Sequence, residues 1–213
     1  MCFHFSQNKK GSELEKFFKA KKKPGVQITA IAHVNGFDLP QCAVITHDEP
    51  QWIQSFSWGL LPPQFKDLDI RRLTLNAKIE TLGEKVSFQN VINQRCLIPA
   101  TSFFEWQWLN TKGTSKQKYE IGVAEEELFA FGGLWHRLTW QNQLFETFTM
   151  ITTEANDLMA KIHHTKKRMP LIIKPEDYSD YLKGEEMSAF AFPYQLNLNA
   201  HQVVDAGKNF SLF

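Results

Sequence analysis

Cys2 stands directly behind Met1. A small second residue normally permits removal of the initiator methionine, which would place an α-amine and a thiol on adjacent carbons. An α-amine has an ordinary pKa of about 7.7–8.0, so part of it is neutral and nucleophilic near pH 7. A thiol, at about 8.5, needs only modest help to ionise. Such a 1,2-aminothiol condenses with an aldehyde to an imine and then closes to a five-membered thiazolidine, which no internal cysteine can do. The dipeptide alone does not distinguish this chemistry from an ordinary second residue.

Three further groups could do acid–base work. The run Ser102-Phe103-Phe104-Glu105-Trp106-Gln107-Trp108 sets a carboxylate among aromatic rings. Burial there would raise its pKa and make Glu105 a general acid near neutrality. A surface strand with Phe103, Glu105 and Gln107 toward solvent and Phe104, Trp106 and Trp108 inward fits the same letters. The pair His163-His164 lies in the basic stretch 161–168. It suits a proton shuttle, with His163, next to apolar Ile162, the better placed; an idle exposed pair is the plain alternative. No third ligand lies at metal-binding spacing, so no metal is expected. Asn76, in Asn76-Ala77-Lys78-Ile79-Glu80-Thr81, either caps a helix or offers an untitrating amide to a substrate hydroxyl.

Many short strands and a few helices must position these groups. Aromatic and β-branched runs at 42–47, 55–60, 95–98, 102–108, 117–124, 127–138, 143–153, 169–173 and 200–204 predict strands, separated by turn signals such as Lys112-Gly113 and Gln141-Asn142. Ser12 with Glu15 predicts a capped helix from Ser12 to Lys22. Further helices are predicted at 76–82, at 154–161, and from Pro175 to just before Gly184. The pattern implies an α+β fold, with a curved, largely antiparallel, barrel-like sheet and a few flanking helices. No repeat or linker divides the 213 residues, so a single domain over 1–213 is expected.

Hydrophobic content of 43% and aromatic content of 13% suit a globular chain rather than a disordered one. No apolar run approaches the roughly 20 residues that span a bilayer. The N-terminus lacks a signal-peptide pattern, so a cytoplasmic protein without a membrane partner is expected. Three cysteines, at 2, 42 and 96, offer no disulfide framework or C-x-x-C zinc site; Cys42 and Cys96 lie in apolar runs and read as buried. The net charge of +1 excludes a strongly basic, non-specific duplex binder. Local clusters remain at Lys9-Lys10, Lys21-Lys22-Lys23, Arg71-Arg72 and Lys166-Lys167-Arg168.

Taken in order, these motifs resemble the SRAP family (SOS response-associated peptidase, or abasic-site processing protein). The family's opening Met-Cys-Gly-Arg is similar to Met1-Cys2-Phe3-His4, and its Trp-Gly-Leu-x-Pro to Trp58-Gly59-Leu60-Leu61-Pro62. Its Asn-Ala-Arg-x-Glu-Thr resembles residues 76–81, and its Arg-Cys-Leu-x-Pro-Ala-x-x-Phe-x-Glu-Trp resembles residues 95–106. Gly133-Leu134-Trp135, Thr152-Thr153-Glu154-Ala155-Asn156, Ile162-His163 and Arg168-Met169-Pro170 complete the pattern, which runs from Cys2 to about Ile173.

The resemblance implies an abasic-site sensor for DNA damage and the SOS response. Cys2 would form a thiazolidine with the ring-opened deoxyribose of single-stranded DNA, in a pocket lined by Asn76, Glu105 and His163. It implies that His4, Lys78 and Thr152 approach phosphates, and that Trp58, with Pro40, abuts neighbouring bases. The form expected is a monomer without cofactor, nucleoid-associated when bound to DNA. His4 and Lys78 stand where the family usually has arginine, which implies weaker and more salt-dependent contacts. The rival readings are an N-terminal-nucleophile cysteine peptidase or amidohydrolase, for which leader removal would be one self-cleaving event, and a non-catalytic single-strand binder.

Overall fold

The computed structural model describes residues 2–65, 67–163, 165–194 and 196–204. Met1 and His164, both singled out in the sequence, lie outside the described residues. In chain order the strands are β1 (His4–Gln7), β2 (Lys21–Lys22), β3 (Ile31–Asn35), β4 (Gln41–Thr46), β5 (Trp52–Trp58), β6 (Asn76–Lys78), β7 (Arg95–Ala100), β8 (Ser102–Trp108), β9 (Lys116–Val123), β10 (Phe129–Trp140), β11 (Gln143–Glu154), β12 (Arg168–Pro170), β13 (Ile172–Ile173) and β14 (Leu198–Gln202). The helices are α1 (Gly11–Phe18), α2 (Val86–Gln89), α3 (Asp157–Ile162) and α4 (Tyr178–Lys183). No described helix is long and apolar enough to cross a membrane.

The predicted α+β class holds, and the barrel is real. The ladder β11-β10-β7-β4-β5 is antiparallel throughout and returns from β5 to β11 by a short parallel pairing, Thr147 to Ser57 and Phe148 to Trp58. A second sheet, in the order β14-β9-β8-β1-β3, lies beside it. Both faces of β4 and β7 are covered along nearly their whole length, which is why they read as apolar runs. Cys42, Val44, Cys96, Ile98, Phe131 and Phe148 pack with Phe5, Phe103 and Ile121 of the second sheet. The alternate residues Ala43, Ile45, Leu97, Ala130 and Ile151 pack under Leu14, Phe88 and Tyr181 from α1, α2 and α4.

Three local expectations are corrected. The first helix starts at Gly11, and the carboxylate reaching back to its cap is Glu13, accepting from the Lys10 N–H at 2.9 Å, not Glu15. No helix forms at 76–82. Residues 76–78 pair in parallel with Met150–Thr152 of β11, and only a 3-10 turn follows at Ile79–Thr81, so tertiary strand pairing overrides local propensity. The β8 alternation also departs from the surface-strand reading: Phe103 and Glu105 are buried and Trp108 is exposed, while Phe104 is buried as that reading has it. The last predicted helix does run from Pro175, as a 3-10 turn leading into α4, and stops at Gly184 with φ 100°.

Candidate functional site

β1 is a four-residue strand, and its anchors decide where Cys2 lies. Phe5 is fully buried, edge-on to Trp58 at 5.2 Å and to Phe131 at 5.7 Å between ring centroids. The Gln7 amide donates to the carbonyls of Pro99 (2.7 Å) and Ala43 (3.2 Å) and accepts from the Ala43 N–H (2.7 Å). β1 is thereby held between β3 and β8 and clamped to the barrel. Cys2, just ahead of it, is fully buried, with Sγ donating to the His4 carbonyl at 3.2 Å. The strand escapes the sequence because one strong apolar residue in four gives no period, and its partners lie about thirty and a hundred positions away.

Asn76 reaches Cys2 from the opposite side. β6 directs its Nδ2 to the Cys2 carbonyl at 2.9 Å. Gly59 shapes the chain nearby: at φ 98°, with a Cβ that would meet the Arg71 carbonyl at 2.6 Å, it admits no side chain. Glu105 enters from β8 at 6% exposure, close enough for its charge to act on the Cys2 thiol. Burial pushes its carboxyl up to about 6, against a downward pull from the Trp106 backbone hydrogen bond. Burial likewise drives the Cys2 thiol well above its usual range, and the Glu105 charge adds to the rise. Among the described residues, Asn76 Oδ1 and Glu105 Oε1 are buried acceptors with no hydrogen-bond partner. Two orphaned acceptors around one residue are costly unless a donor arrives.

His163 caps the end of α3, its N–H bonded to the Met159 carbonyl at 2.7 Å. Gln107 Nε2 donates to the Lys161 carbonyl at 3.0 Å, tying that helix end to the strand that carries Glu105. His163 Nδ1 lies 3.1 Å from the Arg168 carbonyl. A carbonyl only accepts, so Nδ1 carries the proton in the neutral ring and Nε2 the lone pair. Cys2 thus lies beside Asn76 and Glu105, and the Gln107–Lys161 bond ties the end of α3 to the strand that carries Glu105.

The expected DNA contacts divide. Lys78 is exposed and, with Lys166, Lys167, Arg168, Glu154 and Ala155, lines a groove of about 450 Å³ beside the turn that follows His163. His4 and Pro40 are half-buried. Trp58 does not fit the stacking role. Its indole is fully buried, parallel to Phe148 at 6.1 Å, and its N–H is committed to the Leu75 carbonyl at 2.7 Å, so no face is open to a base. Thr152 is also fully buried and receives Arg168 on its own carbonyl at 2.6 Å, which leaves it no path to a phosphate. The sequence missed His33 and Lys118, which lie beside His4 and against the Phe104 ring.

The family model described as SOS response associated peptidase (SRAP) matches residues 1–209. The chain belongs to the SRAP family. Among its relatives, the abasic site processing protein YoaM of Bacillus subtilis is 32% identical over 209 residues, which is 92% of this chain and 87% of that protein. The abasic site processing protein YoqW of the same species is 38% identical over 163 residues, covering 71% and 70%. A crystal structure of a Bacteroides thetaiotaomicron protein superposes with a TM-score of 0.84 at 30% identity, over 96% of this chain and 93% of the other. Family membership accounts for the shared motifs; the site geometry above is this SRAP chain's own.

One stability consequence follows from Glu105. Its folded pKa lies above the ordinary carboxylate value of 4.5, so the native state holds the proton more tightly than the unfolded chain. Stability therefore falls as pH rises from 4.5 to about 6 and stays low above that. That rise corresponds to about 2 kcal/mol. Glu105→Gln, which mimics the protonated acid, is expected to raise Tm at pH 7.5 by roughly 4–8 °C and to change it little at pH 4. Calorimetry at the two pH values measures this, and an unchanged Tm at pH 7.5 would contradict the account of Glu105 burial.

Proposed function

We propose that this SRAP protein, once Met1 is removed, captures abasic sites in single-stranded DNA through the nitrogen and sulfur of Cys2. The observation that carries the reading is the pair of orphaned buried acceptors, Asn76 Oδ1 and Glu105 Oε1, around Cys2. A terminal amine and a sugar hydroxyl supply the donors that such a site lacks.

The abasic sugar rests mainly as a closed hemiacetal. In the proposed sequence His163 withdraws the proton of the C1′ hydroxyl and returns it to the ring oxygen, which opens the aldehyde. The neutral Cys2 amine then adds to that carbonyl. Protonated Glu105 donates to the departing hydroxyl and takes back the remaining nitrogen proton, so one water leaves as the neutral imine forms. The amine acts first because burial keeps the thiol protonated. Ring closure follows: sulfur bonds to the imine carbon, and the thiol proton passes to nitrogen. The product is a thiazolidine, with a net loss of one water. Asn76 holds the Cys2 carbonyl and fixes the direction of attack. Lys78 and the groove beside it suit the strand's phosphates.

A denaturing gel tests the reading. Met1-free protein mixed with single-stranded DNA carrying one abasic site is expected to give a heat-resistant adduct. Peptide release without an adduct would support the cysteine peptidase instead, and a shift seen only under native conditions would support simple binding.

A further inference from the structure

His4 follows Cys2 by two positions and points to the outer face of the second sheet. His4 Nδ1 lies 3.0 Å from His33 Nε2. The residues are diagonal neighbours, since His4 pairs with Asn35 across β1 and β3. An N···N contact this short needs one ring to donate and the other to accept, so one proton bridges the pair and a doubly charged pair cannot keep it. Aromatic rings from β8 surround the two imidazoles. His4 stands edge-on to Trp106 with centroids 4.8 Å apart, and His33 stacks on Phe104 at 4.8 Å and 8°. Lys118 of β9, opposite Trp106, holds its ammonium 4.4 Å from the Phe104 centroid. The result is a row of three nitrogen side chains on an aromatic floor, the exposed His33 among them.

We infer that His4, His33 and Lys118 form a proton-gated phosphodiester site, which holds the strand flanking the lesion more tightly as pH falls. The inference rests on the DNA-binding reading above. An incoming phosphate supplies the negative charge that lets both imidazoles take protons and exchange their mutual contact for bonds to its oxygens. Before that, burial, His33 and Lys118 hold His4 down to about 4, with Asp38 pulling upward; burial and Lys118 also lower His33. The titratable and charged groups facing His4 are His33 from β3, Lys118 from β9 and Asp38 from the turn after β3, while β8 contributes Phe104 and Trp106. Each proton taken up on binding changes affinity by up to about tenfold per pH unit. An arginine at position 4, usual in the family, would bind without such a gate.

The test uses an undamaged oligothymidine and fluorescence anisotropy at pH 6.0 and 7.5, so that no cross-link is involved. Wild type is expected to bind about tenfold tighter at the lower pH. His33→Gln should lose most of that difference, and His4→Arg should bind at pH 7.5 about as well as at pH 6.0. If His33→Gln and His4→Arg keep the full pH dependence while DNA still binds, the gate is wrong and the functional reading stands. If wild type binds no DNA at either pH, both fail.

Discussion

Cys2→Ala is expected to abolish the heat-resistant adduct completely while preserving a reversible one. The variant still exposes a terminal amine when Met1 is removed, so the imine can form. Without sulfur the ring cannot close, and heating in water returns the aldehyde. Borohydride added before denaturation should therefore trap an adduct with Cys2→Ala, whereas the wild-type adduct survives without it. The strand itself gives a second readout. An imine acidifies the adjacent C2′–H and promotes β-elimination, so Cys2→Ala is expected to nick the DNA at the lesion. A saturated thiazolidine has no such activation, and the wild-type protein should leave the strand intact. A heat-resistant adduct with Cys2→Ala would place the linkage elsewhere.

His163→Ala carries the second large effect. General acid–base catalysis at a positioned imidazole contributes roughly 10²–10⁴-fold, so adduct formation should slow by at least about 100-fold. Affinity for an undamaged strand should stay within about threefold, or roughly 0.7 kcal/mol. A strand bearing an open-chain aldehyde in place of the abasic sugar needs no ring opening, and the variant should react with it nearly as fast as wild type. Equal losses in rate and affinity, or no rescue by the open aldehyde, would remove His163 from proton transfer.

The parts of this fold that the sequence discloses are those whose burial is two-sided or whose turns are local. The strands near 42–47 and 95–98 are apolar runs because both of their faces are covered, and Gly184 marks its helix end by a left-handed φ of 100°. Elements set by distant pairing stay hidden. Residues 76–78 look helical but pair with β11, some seventy positions away. β1 carries too little apolar signal to be seen, although it is what places Cys2. The site behaves similarly. Cys2, Asn76, Glu105 and His163 stand out in the sequence because the motifs that hold them resemble the SRAP pattern in order. The side of β8 that Glu105 faces was not, since alternation fixes a period but not which phase is inward. Trp58 drew attention as a large ring in a motif, yet its ring is core. His33 had no motif at all; only the β1–β3 register brings it to His4.

The most direct measurement is the intact mass of Met1-free protein after incubation with an oligonucleotide holding one abasic site, followed by proteolysis and thiol alkylation. The account predicts a species equal to protein plus DNA less one water. It also predicts that the linkage lies on the peptide that begins with Cys2, and that its sulfur resists alkylation. Unmodified protein, or an adduct on a lysine with Cys2 still alkylatable, would contradict it.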